Sequence, residues 1–117
     1  EVNASLPFTS GALLTAAHWA LAEKTCVAAP VSGFHHACWG SGGGFCTFNG
    51  LMVTALALQS EYAGLMVGIL DYDYHYGMGL TILSMCWTPK ISCTSRLGEL
   101  TTTQVKLRNF YPTLTRM

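Results

Sequence analysis

Charge is what this sequence has least of. Only 10% of its 117 residues are Asp, Glu, Lys or Arg, where a soluble globular chain usually carries about 25%. Six basic side chains cancel six acidic ones, so no net field attracts nucleic acid or an anionic membrane. A long apolar run is missing too. The charge-free stretch 25–60 is broken by Pro30, by His35-His36 and by Gly42-Gly43-Gly44, which leaves no segment of about 18 apolar residues to span a bilayer. The N-terminus lacks the basic start and apolar core of a secretion signal. There is no internal repeat and no C-x-x-C pair. Five cysteines (Cys26, Cys38, Cys46, Cys86 and Cys93) are an odd number, which suits reduced, buried thiols in a cytoplasmic protein better than a disulfide framework.

What is present is apolar. Half the residues are hydrophobic and the mean hydropathy is +0.35, too much for a disordered chain. At 12.6 kDa the chain is at most one small domain. A domain of that size is mostly surface and needs polar residues to cover it. The expectation is therefore a piece of a larger α/β protein, incomplete by itself.

Along the chain, Ser10 can cap a helix over 11–23, with Leu13, Leu14, Ala17 and Leu21 at helical spacing. The apolar run 25–29, stopped by Pro30, predicts a buried strand. Residues 31–47 are rich in Gly, His and aromatics without a period and predict a long functional loop. Asn49 can cap a second, largely buried helix over 50–62. A second apolar run at 65–70 then leads into Asp71-Tyr72-Asp73-Tyr74-His75. Helix, strand, helix, strand with continuous apolar strands predicts a βαβ unit and a parallel sheet covered by helices on both faces. After about Leu80 the texture changes. Five of the six basic residues lie there beside a Thr101-Thr102-Thr103 run, and no helix or strand is expected.

Three clusters carry possible chemistry. Asp71, Asp73 and His75 alternate, so an extended backbone would put them on one face. Their oxygen and nitrogen donors suit a divalent ion such as zinc, and they fall beyond a strand's carboxyl end, where open α/β sheets bind ligands. The plainer alternative is a polar turn after a strand, the commoner fate of an isolated D-x-D-x-H. His35 and His36 could serve as general base and electrostatic partner, or simply bond backbone and water. Gly42-Gly43-Gly44 lets backbone approach a ligand, but the P-loop lysine and spacing are absent. Cys46 beside it is better explained as a structural thiol than as a nucleophile.

The order of these signals is more specific than any one of them. His-His, then G-G-G-F-C-T-F-N opening a helix, then I-L-D-Y-D-Y-H-Y-G resembles the zinc-dependent histone deacetylase and acetylpolyamine amidohydrolase family over residues 5–77, closest to its bacterial branch. The resemblance implies a three-layer α/β/α sandwich around parallel strands, shared with arginase, here partial. It implies that Asp73 and His75 are two of three protein zinc ligands. Asp71 would bind a potassium ion and orient the first histidine of the pair. His35 and His36 would flank the zinc-bound water, and Phe45, after Gly44, would form a wall of the acyl-lysine tunnel. The implied activity is hydrolysis of an acetyl amide on lysine or a polyamine.

Some positions depart from the family pattern. Tyr76 replaces the second histidine of H-H-G, and Met78 stands where Asn or Asp is usual. A third ligand Asp and the transition-state tyrosine have no counterpart. The chain as given is therefore expected to bind zinc weakly, to be catalytically inactive and to aggregate through exposed apolar surface. Residues 1–80 are expected to be the deacetylase part and 81–117 a non-family tail, frame-shifted or disordered. Two rival functions stand beside this one: a non-catalytic structural or interaction protein that kept the βαβ core, and an arginase-type hydrolase with two manganese ions.

Overall fold

The computed structural model describes residues 2–87 and 91–95. Five elements follow one another: α1 (Val2–Glu23), α2 (Gly50–Glu61), β1 (Val67–Asp71), α3 (Met78–Trp87) and β2 (Ile91–Ser95). Helix α1 begins well before Ser10 and runs through Pro7. A proline in a helix removes one backbone donor, and the Ala- and Leu-rich sequence on its C-terminal side sustains the helix past it. Ser10 is therefore inside the helix rather than at its cap, and its buried Oγ has no hydrogen-bond partner. Lys24, in the left-handed region at φ 51°, ends the helix.

Helix α2 begins where its cap predicts. Asn49 Oδ1 accepts the Met52 amide at 3.1 Å, which satisfies one of the free donors of the first turn. Met52, Ala55 and Leu58 are buried along it. The helix is tied to α1 near its far end by His18 Nε2 and Glu61 Oε2 at 2.8 Å, both well exposed.

The parallel pair differs from the one expected. Residues 25–29 form no strand; they are irregular, because an apolar run becomes a strand only beside a partner and none lies alongside among the described residues. The two strands that do pair are β1 and β2, parallel, in the register Val67 to Ile91 through Asp71 to Ser95. The crossover between them is α3, which falls where no regular structure was expected. Its backbone pattern rests on burial of Gly79, Leu80 and Leu83.

One core joins α2, β1 and α3. Met52, Ala55, Leu80 and Leu83 are buried together, with Leu51, Leu56, Val67 and Ile69 packed against them. Only one face of β1 takes part. Val67, Ile69 and Asp71 are half-buried while Gly68 and Leu70 are exposed, the alternation of a strand covered on one side. Among the described residues the architecture is thus α/β with a two-stranded parallel sheet, not helices on both faces. Trp19, Trp39 and Phe48 are exposed as well. Among the described residues, no helix is long and apolar enough to cross a membrane. The cysteines Cys26, Cys38 and Cys46 are free; Cys46 is buried as expected of a structural thiol, whereas Cys26 is exposed.

Candidate functional site

Strand β1 delivers Asp71 on its covered face, and the chain then leaves the strand. Beyond that point the side chains are gathered by turns rather than by strand alternation. Asp71 Oδ1 accepts the Asp73 amide at 3.0 Å, and Asp73 Oδ1 accepts the His75 amide at 2.8 Å. These successive side-chain-to-backbone bonds are what Asp does after a strand, so the polar-turn alternative describes the local geometry well. They also bring Asp73 Oδ1 to 3.2 Å from His75 Nδ1.

The loop 24–49 meets this turn. Phe34 and Ala37 close a turn through the Ala37 amide and the Phe34 carbonyl at 3.2 Å, and His35-His36 form its tip. His35 Nδ1 lies 2.8 Å from Asp71 Oδ2, with both side chains only 12–13% exposed. A carboxylate accepts, so Nδ1 carries the proton and Nε2 is left as the basic nitrogen. The His35 and His36 rings are 4.0 Å apart, and those of His36 and His75 are 6.2 Å apart, edge to face. Asp71, His35, His36, His75 and Asp73 therefore form one closed ring of groups drawn from two distant segments.

Gly44 backs this ring. It has φ 52°, and a Cβ there would collide with the His36 imidazole, so glycine is required twice over. Phe45 follows it, also left-handed at φ 62°, and its side chain is fully exposed. Gly77 faces the other side: a Cβ there would stand 2.6 Å from Asp71 Oδ2 and 3.1 Å from His35 Cβ. Two cavities flank the loop. One of about 290 Å³ touches His35, Asp71 and Asp73 and is otherwise lined by Leu13, Phe34 and Leu51 among others. The larger, about 520 Å³, is walled by Trp39, Phe48, Met52 and Leu83 and touches none of the ring.

The acidity of Asp73 is shifted. The His75 backbone N–H holds its carboxyl below the usual carboxylate range; desolvation opposes this, and the His75 side chain and the charges of His35 and His75 add to the lowering. A depressed carboxylate stabilises its turn above the unfolded pKa, and that support is lost as pH falls through the lower folded value. Exchange of the His75 amide should therefore stay slow through the ordinary carboxylate range and rise only below it. Protection lost at or above the usual Asp pKa would contradict this.

Asp73 and His75 offer an oxygen and a nitrogen of the kinds zinc takes. Among the described residues, however, no three His, Cys, Asp or Glu side chains are grouped to hold a metal ion, and the sequence has no Asp after Asp73. A catalytic zinc takes three protein ligands and a water. The donor set is short by one, so these residues alone do not make a zinc site.

Residues 2–112 match the family model described as the histone deacetylase domain. The chain belongs to that family. The matched span extends well beyond Gly77 and takes in α3 and β2. No curated protein and no solved structure matches the chain.

Sequence reasoning found every member of the ring but missed what encloses it. The close packing of Gly77 and Gly79 and the second bond of Asn49 went unread. For the glycines the signal was the Gly-Met-Gly spacing one residue after the D-x-D-x-H segment; the Asn49 bond had none.

Proposed function

We propose that this chain carries the His-His and D-x-D-x-H part of a zinc-dependent deacetylase site acting on acetyl amides of lysine or a polyamine. Family membership supports the reaction class. The observation that carries the assignment to these residues is the 2.8 Å bond from His35 to Asp71 with the His36 ring tilted against it. A histidine fixed by a carboxylate through Nδ1 keeps Nε2 for proton transfer.

In the hydrolysis a water oxygen adds to the acetyl carbon, the C–N bond breaks, and the proton taken from water goes to the leaving amine. His35 and His36 are suited to receive and return that proton, because an imidazole nitrogen can accept a proton and give it back. Asp73 and His75 are the residues from which a zinc site would be completed, and Asp71 suits potassium through its oxygens. Gly44 and the exposed Phe45 would lie along the path of the acyl chain.

The same geometry predicts that the chain by itself does little chemistry. With two donors, zinc should bind weakly, and Asp73→Ala or His75→Ala should remove that binding altogether. No turnover of acetyl-lysine peptides or acetylpolyamines is expected from the 117 residues alone. Zinc titration followed by calorimetry, with a release assay for acetate, checks both statements. Zinc binding that survives both substitutions would refute the placement of the metal. Two bound manganese ions would favour the arginase-type alternative.

A further inference from the structure

Asn49 does two things at once, and only one of them concerns its helix. Its Oδ1 caps α2, while its Nδ2 donates to the Ala37 carbonyl at 3.0 Å. The side chain is buried, at 7% exposure, and Ala37 is completely buried. The neighbouring Gly50 takes the other flank of the same turn. A Cβ there would sit 2.6 Å from the Phe34 ring, so the ring rests directly on the glycine backbone. The first turn of α2 thus grips Phe34 and Ala37, the two residues on either side of His35-His36.

The opposite side is closed by α3. The Leu80 amide donates to the His35 carbonyl at 3.2 Å, and Gly79 lies so close to the Ala37 carbonyl that a Cβ would collide with it. The Ala37 carbonyl is therefore held between the Asn49 amide and the backbone of Gly79. Both flanks of the histidine turn are thus held at its backbone.

We propose that Asn49 is a positioning residue for the histidine pair: its amide fixes the Ala37 carbonyl and thereby holds His35 against Asp71. The role assumes the proposed use of His35 in proton transfer, but the geometry it asserts does not depend on turnover. A helix cap alone needs only an acceptor at this position, and Asp or Ser serves as well as Asn. The grip on Ala37 needs a donor that reaches, which neither Asp nor Ser supplies.

Asn49→Asp and Asn49→Ser in the 117-residue chain separate the two roles. The readouts are far-UV circular dichroism for α2 and the NMR signal of the His35 Nδ1 proton for the clasp. Helix content should hold in both variants. The Nδ1 proton should exchange with solvent faster by about fivefold to tenfold, the effect of losing one hydrogen bond from a network, and the ring contact between His35 and His36 should weaken. Asn49→Ala, lacking both bonds, should lose helix content as well. If either cap-retaining variant keeps the parent's Nδ1 signal and ring contact, Asn49 is a cap only and the proposal fails. Should Asp disrupt folding by placing a carboxylate against the Ala37 carbonyl, the uncharged Ser variant decides the matter. Failure of the deacetylase assignment would appear instead as zinc binding that survives Asp73→Ala and His75→Ala, with this result unchanged.

Discussion

Gly79→Ala is expected to destabilise the chain by about 1–3 kcal/mol, the usual range for adding a methyl group where the packing is already complete. The added Cβ would collide with the Ala37 carbonyl and stand 2.8 Å from the His35 carbonyl oxygen. Both obstacles are backbone, so neither can swing aside as a side chain does. Relief requires α3 to lift or the turn at 34–37 to shift, and either movement breaks the bond from the Leu80 amide to His35. Leu80 belongs to the core with Met52 and Ala55, so the damage reaches packing as well as the site. Gly11→Ala is the matched control. It lies in α1 with nothing within 4 Å of the new Cβ, and should stabilise by up to about 1 kcal/mol through helix propensity. Urea denaturation of the two variants checks the contrast. Equal midpoints would mean that the approach of α3 to the histidine turn is not as close as described.

The parts of this fold that could be read from the sequence are those written in neighbouring residues. Asn49 followed by an apolar run announces the start of α2, because a cap and a buried face are local features. Strand β1 and the turn after it are equally local. The first expected strand, 25–29, failed because strand formation depends on a partner elsewhere in the chain, and apolar content alone does not supply one. The start of α1 was misplaced by a serine that fits a cap but lies inside the helix. Helix α3 was missed because its apolar residues show no clear period and its neighbours change composition. In the residues themselves the ring of His35, His36, Asp71, Asp73 and His75 was legible only as residue types; that Asp71 orients the first histidine of the pair came from the family resemblance. That His35 meets Asp71 across 36 positions follows from tertiary packing. So does the clasp, since nothing near Ala37 in sequence says that Asn49 and Gly79 will hold its carbonyl from two sides.

The largest change we expect comes from the nucleotide sequence: inserting one base near codon 78 should convert a chain without turnover into a deacetylase. We propose that the sequence from position 78 onward is read one base out of register with the family's continuation. Loss of a base from an Asn codon would turn AAT-GGG-ACT into ATG-GGA-CT, the start of Met78-Gly79-Leu80. Each restored codon is then the third base of one present codon plus the first two of the next. The Met78-Gly79 junction forces glycine again at position 79, where a Cβ is excluded by the Ala37 carbonyl. Met85-Cys86 forces valine, Cys86-Trp87 forces leucine and Trp87-Thr88 forces aspartate. The intervening junctions permit N-G-T-D-D-I-I-D-V-L-D from position 78, which again describes a helix. That helix suits the burial of α3 at positions 82 and 83, although it places threonine at the buried position 80. Ile82 is now 43% exposed and Leu83 is buried at 9%; the restored reading permits aspartate at the exposed position and isoleucine at the buried one, the pattern a half-covered helix favours. Against the proposal stands the family match, which runs on to residue 112 in the present reading. The gene decides between them. The expected result is an open frame that supplies a further Asp ligand and a tyrosine, and whose product binds one zinc and releases acetate from acetyl-lysine peptides. If the inserted base opens no such frame, the present residues from Met78 onward are the protein's own, and α3 and β2 are its native crossover and second strand.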